Sequence, residues 1–555
     1  MKRLNSLTLL AATLLLIGCA EENITSRNNQ QQQEEENIPE GLTAFVEDNS
    51  STRTTAEYFD NGATNRGIHF YWTEGDRLWV NTGTVLSPVL TQDKYNNINS
   101  LLAPHPTIPT AVKRATTAKF YFEGDYSAPS YTVRYTGKGN TVGNKVTIKA
   151  QQNQSIANDA SHIAESGDCG IATATKPIGG GRYNFTLNHE ASYITFLPYS
   201  TQGVVSAAKI QKIKVSADQA ICGTFDFNDN GISTASRPTA ATNNQSIELS
   251  LNYFSIPNAP TVATNASTMV IAPGSYTNFT VEYTLYDPVT WVSGTVTKQY
   301  PGTVTFTKGK NKKISQDLQV TVYHNEYYMW DAQKHYWFGH MDSNENPDGN
   351  YPTSSTDPRY YNNIPFYSGQ ASRTAANCPN INEIAWYCVH GDPHWDNDLW
   401  SLMGHLYAGG MWFKKLSVIG NDQSPQKTEA QLKALAPDNK NYTIYGGGGG
   451  ADPNFHNNSI KQGKPSASKI NNYFYLPALG FYSNASLYSI SGYSVLGWGS
   501  YWSCTSGGDA HTYGAACYLL FYKNSVHAHL TTDRNAGNRI WKTDDRDNKY
   551  RPIGM

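Results

Sequence analysis

The chain carries little charge. Only 16% of its 555 residues are Asp, Glu, Lys or Arg, and 43 basic against 45 acidic side chains leave a formal charge of −2. Neutralising phosphates needs a basic face, so this balance argues against a nucleic-acid partner. Long apolar runs are also missing. Residues 7–17 form the most apolar stretch, too short to span a bilayer as a mature helix. Leu, Glu and Lys give way to Tyr, Thr, Ser, Asn and Gly, which excludes an all-helical fold. Catalytic signatures are absent too: there is no G-x-S-x-G elbow, H-E-x-x-H pair or Rossmann fingerprint. The five glycines at 446–450 lack the following Lys-Ser/Thr of a phosphate cradle, and no C-x-x-C spacing suggests zinc.

Aromatic residues are abundant. At 12% of the chain they rule out disorder for most of it. A length of 555 residues, at about 150 residues per domain, predicts three or four domains.

Lys2 and Arg3 precede the apolar run 7–17, which ends in Leu16-Ile17-Gly18-Cys19. The order of charge, apolar stretch and small residue before a Cys resembles the lipobox of bacterial lipoproteins. That resemblance implies a signal peptide over 1–18, acylation of Cys19 and an outer-membrane, surface-exposed protein. Glu21-Glu22 resembles the acidic surface-export signal of Bacteroidota lipoproteins. Residues 19–40, with Gln30 to Gln33 and Glu34 to Glu36, have no apolar periodicity and read as a solvated tether.

From residue 41 to 323 the chain shows short alternating runs broken by Gly, Pro, Asn and Asp, among them 42–46, 119–122, 193–197, 210–215, 246–251 and 279–285. Closely spaced strands without intervening helices predict β-sandwiches. Three stretches carry a family resemblance: Phe70-Tyr71-Trp72-Thr73-Glu74-Gly75-Asp76, Leu187-Asn188-His189-Glu190-Ala191-Ser192-Tyr193, and Ile271-Ala272-Pro273-Gly274-Ser275-Tyr276. Each is similar to a segment of the fimbrillin-like proteins of Bacteroidota. The resemblance implies two transthyretin-like sandwiches, here 41–235 and 236–323, and other fimbrillin subunits as partners. It also implies a processing point at Arg53, because Arg-specific cleavage near there in the pilin members removes the first strand.

Beyond 323 the alternation stops. Residues 382–390, 398–413 and 427–436 carry apolar side chains at helical spacing, and strands resume at 473–476, 501–505, 517–522 and 525–530. Tyr473-Phe474-Tyr475-Leu476-Pro477, Gly499-Ser500-Tyr501-Trp502-Ser503-Cys504, Ala516-Cys517-Tyr518-Leu519 and Tyr550-Arg551-Pro552-Ile553 resemble successive blocks of the Fibrobacter-type major paralogous domain. That family is similar in fold to C-type-lectin-like and formylglycine-generating-enzyme-like domains. The expected architecture is therefore mainly β: two sandwiches followed by an α+β lectin-like domain over 324–555.

Six cysteines follow Cys19 in three local couples, predicting Cys169–Cys222, Cys378–Cys388 and Cys504–Cys517 disulfides in an exported protein. Reduced, buried thiols are the alternative. Asp392, Asp396 and Asp398 could supply a Ca²⁺ loop, while the competing reading is a helix-joining loop capped by Asp398. No other cofactor is implied. His527 and His529 alternate with Val526 and Ala528, so both rings should face one side of a strand, as a ligand pair or a half-exposed face. Long irregular stretches hold His456, Tyr488, Tyr493 and Trp498 among Asn and Ser, the blend that binding surfaces favour. The expected function is a non-enzymatic surface adhesin, at a pilus tip or as an accessory subunit, with a C-terminal head that binds host or glycan ligands. A glycan-binding lipoprotein outside any pilus is the alternative, and an enzyme on the formylglycine-generating-enzyme-like fold comes third.

Overall fold

A computed structural model describes residues 21–22, 38–47, 55–62, 65–364, 370–443, 455–466, 468–488, 497–507 and 514–541. Strands dominate and the helices are short, as a chain rich in Tyr and Thr predicts. Among the described residues no helix is long and apolar enough to cross a membrane. Cys19, Arg53 and Tyr493, with the glycines at 446–450 and the closing block at 550–553, lie outside the described residues.

The first packed unit is one rolled sheet. Its strands run in the order Leu90–Gln92, Trp79–Asn81, Ser130–Tyr135, Gly170–Thr175, Arg182–Phe185, Leu42–Glu47, Ala118–Glu123, Tyr95–Asn96. Only Asp93 and Lys94 separate the two edge strands in sequence, so the sheet must curl until its edges approach. Phe45, Trp72, Val80, Phe120, Phe122, Val133 and Tyr183 fill the interior.

The second unit packs two sheets face to face. One orders Asn311–Asp317, Ser192–Tyr199 and Ser267–Ile271, with Glu21–Glu22 at its edge; the other orders Gln151–Gln154, Ser246–Ser255, Lys209–Ser216, Thr280–Tyr286 and Ser293–Gln299. In Lys209–Ser216 a bulge between Ile210 and Lys212 resets the side-chain parity, which puts Ile210, Ile213 and Val215 all in the core. Lys212 and Lys214 face outward and pair across the sheet with Glu248 at 2.9 Å and Glu282 at 3.3 Å.

This pairing corrects the boundary read at residue 235. Ser192–Tyr199 pairs with Ser267–Ile271 and Asn311–Asp317, and Lys209–Ser216 with Ser246–Ser255 and Thr280–Tyr286, so both sides of 235 share one core. That core also takes Ala56, Tyr58, Ile68 and Phe70 from the hairpin Thr55–Asp60 and Arg66–Tyr71. The polar stretch 233–244 joins two strands of the same unit, and polar composition marks a surface loop there.

In the third unit a helix, Ile381–His390, packs against two sheets. Asn380 accepts from Glu383 N at 3.0 Å while the Glu383 carboxylate accepts from Asn380 N at 2.8 Å, a reciprocal cap that starts the helix. Ile381, Ile384, Ala385 and Cys388 form its buried stripe. One sheet orders Thr321–Val322, His394–Leu402, His405–Lys414 and Tyr473–Pro477; the other orders Phe455–Asn457, Ser525–Asp533, Ala515–Tyr522 and Gly499–Gly507. The helix expected over 398–413 is instead a hairpin turning at Met403 and Gly404, both at positive φ. Its first strand is buried on both faces: Leu399 enters the second unit's core while Trp400 and Leu402 enter the third's. A doubly buried strand reads as a continuous apolar run, which periodicity cannot tell from a helix.

Candidate binding face

Strand alternation builds the site. In Ser525–Asp533, Val526 and Ala528 point into the core and His527 and His529 point out, as the sequence predicts. Phe455–Asn457 pairs alongside and sets His456 opposite His527. On the other side Tyr518 lies opposite His529 and Leu520 opposite His527. Three imidazoles thus gather on one half-exposed face, with ring centroids 6.1 Å apart for His456 and His527 and 5.4 Å for His527 and His529. Partial burial, with His529 and His456 nearby, holds the His527 imidazole below its ordinary pKa.

An aromatic strip continues from these rings. His527 meets Tyr522 edge-on at 6.4 Å, Tyr522 meets Trp498 edge-on at 5.3 Å, and Trp498 stacks on Phe481 at 5.9 Å. Phe481 in turn stacks on Tyr488 at 5.3 Å. The short hairpin Phe481–Ser483 and Ser486–Tyr488, turning at Asn484 and Ala485 with positive φ, brings these last two rings together. Trp498 Nε1 donates to the Tyr488 carbonyl at 3.2 Å, which fixes the indole while leaving a face half-exposed. Gly499 is required beside it: a Cβ there would stand 2.0 Å from the Phe521 ring.

Of the four residues read as ligand-binding, His456, Tyr488 and Trp498 therefore share one strip. Phe481 and Tyr522 complete it and were missed, because both sit in predicted or flanking strand positions where an aromatic ring reads as core.

The acidic segment is arranged differently. Asp392, Asp396 and Asp398 border or lie in the strand His394–Leu402, which corrects the helix-joining loop and its Asp398 cap. Lys464 pairs with Asp398 at 2.6 Å and Asp396 at 3.8 Å, while Lys461 pairs with Asp392 at 2.7 Å. Ammonium groups thus stand where a calcium ion needs open carboxylate oxygens. Burial, with Asp398 beside it, pushes the Asp396 carboxyl up to about 6. Among the described residues no group of three or more His, Cys, Asp or Glu is arranged to hold a metal.

The cysteines follow the alternative reading. Cys169, Cys222, Cys378, Cys388, Cys504 and Cys517 are thiols, and none of the three predicted disulfides forms. Cys504 Sγ reaches Gln370 Oε1 at 3.3 Å from a half-buried position, whereas Cys517 is buried and donates to the Ser506 carbonyl at 3.7 Å. A bulge between Trp502 and Ser506 separates the two positions on neighbouring strands. Burial pushes the Cys222 thiol up to about 11, and pushes Cys169 and Cys388 higher still.

A buried Tyr193–Asp168–His189 group in the second unit looks superficially catalytic. His189 Nδ1 lies 2.8 Å from Asp168 Oδ1, which also accepts from Tyr193, and Phe70 stacks on the imidazole at 3.7 Å. All three residues are buried, so substrate has no approach and the group serves packing.

No family model matches the chain, and no curated protein does. Several solved structures are similar in part. A protein from Bacteroides ovatus described as a candidate cell adhesion protein is 14% identical, with 47% of this chain and 89% of that one covered at a TM-score of 0.26. A fimbrial assembly protein from Parabacteroides distasonis is 11% identical, covering 49% and 90% at 0.24. A fimbrial protein from Bacteroides ovatus is 10% identical, covering 85% and 94% at 0.16. These scores lie far below those of chains that share a whole fold.

Proposed function

We propose that the chain is a cell-surface adhesin of fimbrillin type, anchored at the outer membrane through Cys19, whose last unit is the binding head. The observation that carries this reading is the strip Tyr488, Phe481, Trp498, Tyr522 and His527: flat rings held in fixed contact yet half-exposed, on a strand scaffold. Such rings stack on pyranose faces and anchor protein partners at low entropic cost. No enzymatic role is assigned, and the partners are glycans or host-surface ligands.

A pilus role has its own support. Leu42–Glu47 lies inside the rolled sheet, between Arg182–Phe185 and Ala118–Glu123, and contributes the fully buried Phe45. Cleavage at Arg53, six residues beyond Glu47, would free this strand and leave a slot flanked by two unpaired ladders. A strand donated by another subunit would fill it.

Two experiments test the reading. Trp498→Ala is expected to weaken binding to a mucin-coated surface about tenfold, the scale of about 1.4 kcal/mol, while the melting midpoint moves by only a few degrees. Unchanged binding by the folded variant would exclude the strip. Cys19→Ala is expected to release the protein from the membrane fraction, because the acyl chains supply the anchor. Retention in the membrane would exclude lipidation.

A further inference from the structure

We propose that the head reads acidic sugars: a carboxylate-bearing saccharide lies along the aromatic strip with its anionic group against His456 and His527. The proposal rests on the adhesin reading above and names the ligand class of the same face.

His456 and His527 make no ion pair with a carboxylate among the described residues, unlike His189 with Asp168 or His340 with Asp348 at 2.8 and 2.9 Å. On the strands that flank His527, the groups facing it are His456, His529, Tyr518 and Tyr522. Lys523 lies in the turn beyond Tyr522, and Asp533 at the far end of the His527 strand. The helix Ile381–His390 packs on the opposite face of this sheet, through Ile384, Ala385 and Cys388 against Val526 and Ala528. Its Glu383 is held in the cap at the other end. Among the described residues, the immediate surroundings of His527 therefore contain donors and no acid.

Partial burial beside His456 and His529 favours the neutral form of His527, and an anion arriving against its ring reverses that balance. Linkage fixes the sign. A bound carboxylate raises the imidazole pKa values, so binding takes up protons and tightens as the pH falls through the ordinary histidine range. A metal ion would fit less well: His456 and His527 stack with planes 22° apart, and His527 and His529 lie at 35°, so the rings lie side by side rather than converging on one point. Adjacency to Tyr522 and Trp498 supplies the sugar part, since a ring stacked on the indole places its substituents toward His527.

The test is calorimetric titration of the full chain with galacturonate oligomers, matched neutral galactan oligomers and poly-glutamate. The acidic sugar is expected to bind about tenfold tighter near pH 5.5 than near pH 7.5, the gain when the two imidazoles together take up on the order of half a proton on binding across that range. His527→Gln and His456→Gln should each lower the affinity near pH 5.5 and flatten the pH dependence, and the double substitution should abolish it. If the neutral oligomer binds equally well at both pH values, and Trp498→Ala removes that binding, the aromatic strip stands and the acidic-sugar assignment falls. Equal binding of poly-glutamate would overturn the sugar assignment. Loss of binding on adding a chelator would overturn the imidazole contact in favour of a bridging metal. Binding of neither sugar would overturn this proposal and the glycan-binding reading beneath it.

Discussion

Asp331→Ala is expected to lower the melting midpoint of the protein more than any substitution on the binding face. The carboxylate is fully buried and held at positive φ. Its Oδ1 accepts from Arg373 N at 2.7 Å and Ala375 N at 3.2 Å; its Oδ2 accepts from Ser372 N and Asn362 Nδ2, both at 2.8 Å. One side chain thus organises a loop 41 to 44 residues downstream. Beside it Arg534 is buried over the Trp330 ring at 4.5 Å and donates to Ala515 O at 2.9 Å and Ile364 O at 3.0 Å. Removing the carboxylate strands three backbone N–H groups and an amide away from water, each costing about 1–3 kcal/mol, and takes a negative charge from a buried guanidinium. Partial relaxation brings the expected loss to roughly 3–6 kcal/mol, read as a drop in the thermal midpoint followed by circular dichroism. A midpoint within a degree of the parent would mean that the loop 371–375 holds itself in place.

Asp331 also shows where sequence reasoning stops. Its partners are backbone groups far along the chain, and nothing in Trp330-Asp331-Ala332 marks the residue as an organising acid. Strands were legible wherever one face is wet, as in Thr280–Tyr286, where Val281, Tyr283 and Leu285 are buried and their neighbours are not. The capped helix Glu429–Ala434, with Thr428 and Gln431 reciprocally bonded, was legible for the same local reason. The strand His394–Leu402 was not, because two cores claim its opposite faces. The binding face was half legible. His527 and His529 follow from alternation within one strand, but the approach of His456, Tyr522 and Phe481 depends on which strands pair, a choice made by tertiary packing. The thiols escaped because spacing along the chain says little about the geometry a disulfide needs.

The doubly buried hairpin has a mechanical consequence, since it joins the head to the second unit. Leu406 is fully buried and, with Leu399, belongs to the second unit's core although both are carried by the third. Gly294 makes room, because a Cβ there would lie 2.6 Å from Leu399 Cδ2. Asp287 Oδ2 accepts from Leu406 N at 2.9 Å, and Thr290 Oγ1 donates to Leu406 O at 2.8 Å. Thr321–Val322 adds a parallel strand beside Trp400 and Ser401. With a junction of two leucines, a buried carboxylate and a strand, the two units are expected to melt as one. Leu406→Ala is expected to cost about 2–5 kcal/mol, as for a core leucine. Because that loss falls on the junction, the calorimetric trace should split into two transitions, with the head retaining its own core around Trp330, Ile384 and Phe521. Leu432→Ala, at a buried position wholly inside the head, should lower the joint transition without splitting it. A single unsplit transition in Leu406→Ala, at the parent's midpoint, would mean that the coupling runs through Thr321–Val322 instead, and a head fragment beginning at 324 would then be the less stable for lacking that strand.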